Sequence, residues 1–508
     1  MNKTSTSGRF FSGPAIVLYL AGVKLLFQLL TAVRYGIFRD ELYYLACGEH
    51  LGWGYVDQPP VIAFVAWIAR HLFGDWLVGL RLFPAFAGAA TVWLTGKLAR
   101  ELGGGAFAQV LAALAVICVP IYLVLHHWLT MNAFEPLIWI GCVWCIARVI
   151  NQNDPRYWIW FGVLVGVGME TKYGIAFFVI AVVIAVLFTR ERRFLVAKEF
   201  WIGAVIAFLI FLPNLIWLAR HDFPFLELMH NIRQTHRDVV RGPVAFILDQ
   251  AQILNPILFP LWLGGLIWLL LGRYRLLGIV YVVLLATFIA LHGKNYYLAP
   301  IYPLLFAGGA VAFEGISSAR FKWIRVVYLL LLVGSLIALA PTVSPILSPQ
   351  GAIAYQRKLG FEPPKAENQR TGPLPQYFAD EFGWREMAEA TARVYKSLSP
   401  EEQARTAIFA NSYGQAGAID FFGPHLGLPK SICNHQSYWL WGPRDYEGSI
   451  VIVLGSDGTG DRVHFQSVEA VGRVEHPYSR RDEHFDIFLC RGLTGDLHQF
   501  WPRMKNYH

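Results

Sequence analysis

Eleven times along this chain an apolar run approaches the roughly 20 residues that an α-helix needs to cross a bilayer. The runs lie at about 13–33, 77–97, 104–125, 130–150, 157–171, 173–189, 200–219, 246–271, 276–291, 297–313 and 324–341. In hydrocarbon every backbone N–H and C=O must be satisfied within the protein, so such runs are expected to be helical. The pattern predicts a polytopic α-helical membrane protein with about 11 transmembrane helices. Composition agrees, because 55% of the 508 residues are hydrophobic and only 15% are charged, too little polar surface for a soluble chain of this length. A formal charge of +8 could point to nucleic acid, but the Lys and Arg residues punctuate the apolar runs and form no stripe. Anchoring at the membrane surface explains that placement, and no nucleic-acid partner is expected. No small-residue cleavage site follows the first run, which reads as a retained span.

The segment 59–73 (PPVIAFVAWIARHLF) decides the topology. If it crosses, the linkers carrying Lys97/Arg100, Arg148/Arg156, Arg190/Arg192/Arg193, Arg273/Arg275 and Arg320/Lys322/Arg325 fall outside the cell. If it lies along the outer surface, all of them face the cytoplasm, as the positive-inside rule favours. The surface-helix reading puts the N-terminus inside and everything after about 342 outside. It also gathers the loop 34–58, His126, His127, Glu135, Lys172, the loop 220–245 and the HGKNYY segment at 292–297 on the outer side. Few ionisable residues remain in mid-span, where a proton-coupled transporter usually needs some.

Beyond the last run the chain changes character. Charges become frequent, and a helix (384–397), a strand (406–410), a helix (413–422) and strands near 450–455, 464–474 and 484–490 are expected. Asp457 and Gly458 mark a turn. The expected organisation is a membrane catalytic domain over 1–343 and a small extracytoplasmic α/β domain over 344–508. Cys433 and Cys490 lie in that domain and would be free to pair if they meet; Cys118, Cys142 and Cys145 read as packing residues. Six cysteines without CxxC or Cys/His spacing give no metal signature.

The first outer loop, FRDELYYLACGEHLGWGYVDQPPV (38–61), concentrates Asp40, Glu41, Glu49, His50 and Asp57 just after the first span. A carboxylate at the water–lipid boundary can take a proton from a hydroxyl acceptor; the bland alternative is a set of solvated loop charges. The Asp-Glu pair, Tyr43, Tyr44 and the later D-x-P-P resemble the bacterial relatives of protein O-mannosyltransferases, which include the lipid A aminoarabinose transferases, within the GT-C glycosyltransferases of family 39 type. RLFPAFAGA (81–89), GVGMETKYG (166–174) and HGKNYYLAPIYPLLFAGGA (292–310) resemble further family segments in the same order, so the resemblance covers roughly 1–340.

This resemblance implies a GT-C fold with periplasmic surface helices in the bacterial inner membrane. It also implies a polyprenyl-phosphate sugar donor and transfer to an acceptor hydroxyl with inversion. Asp40 matches the family's catalytic acidic position and is assigned as base, with Glu41 as second choice. Lys172 and Lys294, at outer helix ends, and Arg81 are assigned to the donor phosphate; for each the alternative is a snorkelling anchor. Asp57, Glu135 and Tyr297 complete the set as substrate-binding residues. Many relatives carry Asp where Asn132 stands, so Glu135 either substitutes for it or complements a helix dipole.

No cofactor is required by these residues, and a divalent ion at the donor phosphate is the alternative left open. The acceptor is a lipid, glycan or protein, and membrane lipids are the remaining partners. The basic loop 220–245, with Arg220, Arg233, Arg237 and Arg241, reads as a phosphate contact, a lid or a lipid-head contact. Trp439 and Trp441 would share one face on a strand and suit sugar stacking or docking on the membrane core. The reading from another class is a transporter or flippase-type protein for lipid-linked sugars.

Overall fold

The computed structural model describes residues 10–235, 239–317, 321–360 and 372–508; Arg237 and Arg320 lie outside them. All eleven apolar runs are helical. Among the described residues six helices are long and apolar enough to cross a membrane: Gly13–Thr31, Leu77–Glu101, Met131–Gln152, Lys198–Arg220, Asn295–Ile316 and Lys322–Val343. A bent pair, Pro243–Ile253 and Pro256–Leu271, makes a seventh if taken as one span. The other runs form shorter helices, Ala106–Ile117, Tyr157–Thr171, Ile175–Leu187 and Arg275–Ala290. The protein is therefore a multi-pass helical membrane protein.

Two runs expected as single helices are broken. In 246–271 the chain turns by 101°, because Asn255 adopts φ 81° and Pro256 follows it. The Asn255 side chain supports the turn by accepting from Ile257 N (3.1 Å) and donating to Cys118 O (3.2 Å) and Ser335 Oγ (2.8 Å). In 104–125 the helix Ala106–Ile117 stops before Pro120, which starts a second piece, Pro120–Leu125.

Contacts divide the chain into two compact units. The first comprises 1–32, 81–216 and 239–346. Lipid offers no hydrophobic drive between helices, so small residues that let backbones meet are what bring them together. A Cβ on Gly265 would lie 2.1 Å from Leu305 O and one on Gly309 2.0 Å from Leu261 O, so both crossing helices need glycine there. Lys24 lies in mid-helix yet is fully buried, its ammonium donating to Tyr122 O at 3.0 Å. That carbonyl belongs to the short helix begun by Pro120.

The second unit comprises 33–80, 217–238 and 347–508. Its sheet has the order β2-β1-β3-β5-β4, from β1 (Thr406–Ala410), β2 (Ile432–Cys433), β3 (Ile450–Leu454), β4 (Phe465–Val474) and β5 (Phe485–Leu493). β1 runs parallel to β2 and β3, while β5 is antiparallel to β3 and β4. The expected strands are present, β2 being an addition too short for any periodic signal. Val61–Phe73, at 13 residues, is about 20 Å long and falls short of a core about 30 Å thick. It buries Ile62, Ala63, Ala66 and Ala69 against its own unit.

Two questions that the sequence leaves open in the tail are decided. Cys433 and Cys490 are buried free thiols. They lie on β2 and β5, with β1 and β3 between, about 14 Å apart at ~4.8 Å per strand and beyond disulfide reach. Trp439 is not on a strand: Gln436 at φ 50° turns the chain into the helical segment Ser437–Leu440. Trp439 and Trp501 there exchange Nε1–H···O bonds, each of 2.9 Å, while Trp441 stacks on His50 at 4.2 Å.

Candidate active site

In the first unit, the helix Tyr157–Thr171 ends where Lys172 turns to extended backbone. Its ammonium donates to Glu135 Oε2 (2.8 Å) and Asn132 Oδ1 (2.6 Å). The rings of Tyr296 and Tyr297 lie 5.8 and 5.1 Å from Nζ, within cation–π range. Burial works against the charge of Lys172, but Glu135 and the two phenols outweigh it and raise its pKa above the ordinary lysine value. Asn132 and Glu135 thus serve the same cation, since the amide oxygen and the carboxylate both accept from Lys172.

Lys294 begins the 3-10 segment Asn295–Ile301. This loop is tied down by Gln250 Nε2 donating to Asn295 O (2.9 Å) and by Asn295 Nδ2 donating to Asp249 (3.1 Å), which Arg241 also pairs (2.8 Å). Arg81 is 1% exposed and does not snorkel. Its guanidinium donates to Ala32 O (2.6 Å), at the end of the first helix, and meets His127 Nε2 at 3.1 Å. His126 turns elsewhere, its Nδ1 lying 2.8 Å from Tyr122 O. Among the described residues no group of three or more His, Cys, Asp or Glu could hold a metal ion.

In the second unit, Asp40 and Glu41 occupy the first turn of the helix Arg39–Glu49, where acids suit the helix dipole. Their fates differ. Glu41 is 1% exposed, and its Oε2 accepts from Phe38 N at 2.8 Å, capping its own helix. Asp40 stays half-buried, and its Oδ1 accepts from the Tyr413 hydroxyl at 2.9 Å. Asp57 accepts from the Tyr43 hydroxyl at 2.8 Å, and that hydroxyl also meets Ser437 Oγ at 2.8 Å. Tyr44 feels both acids: its phenol is pushed well above its ordinary pKa by burial first and then by Asp40 and Asp57. A pair of tyrosine-held carboxylates beside a buried phenol is suited to receiving a proton.

The structure therefore brings Lys172, Glu135 and Tyr297 together in one unit, and Asp40 and Asp57 together in the other. Sequence reasoning missed Tyr413 and Tyr43 as the groups that hold the acids, and Ser437 as the partner of Tyr43. Tyr413 is 373 positions from Asp40, and only its place in the aromatic, amide-rich stretch 411–423 drew attention to it.

Residues 57–217 match the family model described as dolichyl-phosphate-mannose-protein mannosyltransferase. The lipid A galacturonosyltransferase RgtD of Rhizobium johnstonii is 25% identical over 256 residues, 46% of this chain. The chain spans half (50%) the length of that curated relative. The apo structure of ArnT from Cupriavidus metallidurans superposes with a TM-score of 0.60 at 15% identity, covering 93% of this chain and 97% of that one. The same protein bound to undecaprenyl phosphate gives 0.61 at 14% identity, covering 96% and 98%. At such identities these structures establish a shared fold.

Proposed function

We propose that this chain, a GT-C-fold relative of the family 39 glycosyltransferases, moves a sugar from a polyprenyl-phosphate donor to an acceptor hydroxyl on the outer face of the bacterial inner membrane. The observation that carries the reading is Asp40, an accessible carboxylate held by a phenol while its neighbour Glu41 is spent on a helix cap. Asp40 takes the proton of the acceptor hydroxyl. The acceptor oxygen attacks the anomeric carbon from the side opposite the phosphate, the carbon–oxygen bond to phosphate breaks, and the polyprenyl phosphate leaves with the electron pair. Lys172 and Lys294 meet the charge growing on that phosphate. Arg81, which also braces the end of the first helix, is the third phosphate ligand proposed. Asp57, Glu135 and Tyr297 contact the sugar or orient the cations.

The ArnT structure with undecaprenyl phosphate supports the donor class, and the role named for RgtD makes lipid A the first acceptor to try. Eleven crossings with 59–73 on the outer surface, and a division near 343, complete the proposed architecture.

The test is turnover of a panel of undecaprenyl-phosphate sugars by the purified protein, with lipid A, a glycan or a peptide as acceptor. One donor should be consumed, and Asp40→Asn should lower turnover by about 100-fold or more without unfolding the protein. Unimpaired transfer by Asp40→Asn would remove the base, and movement of an intact phosphosugar across the membrane would favour a transporter.

A further inference from the structure

The segment NSYGQAGAIDFFG (411–423) has a role that its composition does not reveal. Ser412 caps the helix Tyr413–Phe422 by accepting from Gln415 N, which fixes Tyr413 at the helix start. That helix lies directly against Arg39–Glu49. A Cβ on Gly414 would sit 2.7 Å from Arg39 Cγ, and one on Gly417 2.9 Å from Leu42 Cβ, so two glycines one turn apart allow the contact. The approach delivers the Tyr413 hydroxyl to Asp40 Oδ1 at 2.9 Å.

The ring of Tyr413 is held on three sides. Arg39 lies 4.6 Å from its centroid, the Tyr43 ring 4.7 Å and the His435 ring 5.0 Å. Its backbone N–H donates to His435 Nδ1 at 3.4 Å. Arg39 is itself set in place: its N–H donates to Asp380 O at 3.0 Å. Behind it Arg480 pairs with Asp380 (3.1 Å) and Glu483 (3.0 Å), and Gln415 donates to Glu483 (2.9 Å). Among the charged and titratable groups of the described residues around Asp40 are Arg39, Tyr44 and Tyr413, with Asp57 beyond Tyr44 and Asp380, Glu483 and Arg480 beyond Arg39.

We propose that Tyr413 is a positioning residue for Asp40, so that the segment 411–423 of the tail completes the catalytic carboxylate. The proposal rests on the reading of Asp40 as the base and names the group that aims it. The phenol donates to Oδ1 and so fixes the orientation of the carboxylate. A donated hydrogen bond also favours the ionised form, keeping Asp40 ready to act.

The experiment follows the protonation of Asp40 directly, in the full-length protein and without any donor. A water-soluble carbodiimide with glycinamide labels protonated carboxyl groups, and peptide mass spectrometry across a pH series gives the midpoint at Asp40, with Asp40→Asn confirming the assignment. Tyr413→Phe keeps the ring and removes the hydroxyl; its midpoint should move up by about one unit. In turnover, the same variant should lower kcat about 10- to 100-fold, with KM for the donor within about two-fold and the acid limb displaced to higher pH. A stronger phenol donor, 3-fluorotyrosine at 413, should move the midpoint down, and it serves if Tyr413→Phe does not fold. An unmoved midpoint in whichever variant folds overturns the positioning role. That result is separate from the fate of the base, which Asp40→Asn turnover decides alone.

Discussion

At the scale of single residues, the candidate site is made of charges that are already partnered, and the partner decides what each can do. Lys172 is shared by Glu135 and Asn132, so a phosphate arriving there would have to share it too. Lys172→Met leaves Glu135, 8% exposed, without its counter-charge and should cost about 3–5 kcal/mol of stability. Adding Glu135→Gln should restore most of the thermal midpoint while donor KM stays raised; recovery of both would make the lysine a scaffold residue only. Glu41→Ala removes a cap and should cost about 1 kcal/mol in a denaturation midpoint. Asp40 was legible because an acid pair after the first span is a local pattern. The cap at Glu41, spanning three residues, was equally local, whereas Tyr413 on Asp40 depends on two distant segments meeting.

At the scale of elements, apolar runs foretold where helices would be but not where they would bend. The 101° break after Ile253 needs the φ of 81° at Asn255 and its bonds to Cys118 and Ser335, which come from other helices. Strand order likewise lies beyond any local period, and it is what separates Cys433 from Cys490. Mass spectrometry after alkylation in denaturant, without reductant, should therefore find both cysteines modified; a linked peptide pair would contradict the sheet order. Whether Trp439 and Trp441 share a strand face was beyond local pattern for a related reason, since one residue at positive φ, Gln436, leads into a helical turn.

At the scale of the whole molecule, the second unit draws on three separated stretches of chain, and charge helps tie two of them. Glu49 pairs with Arg70 and, at 2.6 Å, with Lys430, 381 positions away. Burial would raise the Glu49 pKa, but Lys430 and Arg70 prevail and hold it below the ordinary 4.5. A depressed acid contributes stability above its unfolded pKa and loses it as pH falls through the folded one. The thermal midpoint should fall on acidification below about pH 4.5, and less steeply in Glu49→Gln; equal slopes would dismiss the pair as a stabilising contact. The sequence by itself determined that this is a multi-pass helical membrane protein with an α/β tail, because backbone satisfaction in lipid and strand alternation are read from neighbouring residues. It also marked the acids and lysines of interest. Only the tertiary structure decided that the loop after the first span packs with the tail, and that Tyr413 rather than solvent holds Asp40. Those outcomes depend on which surfaces meet across hundreds of residues, and no local periodicity encodes that.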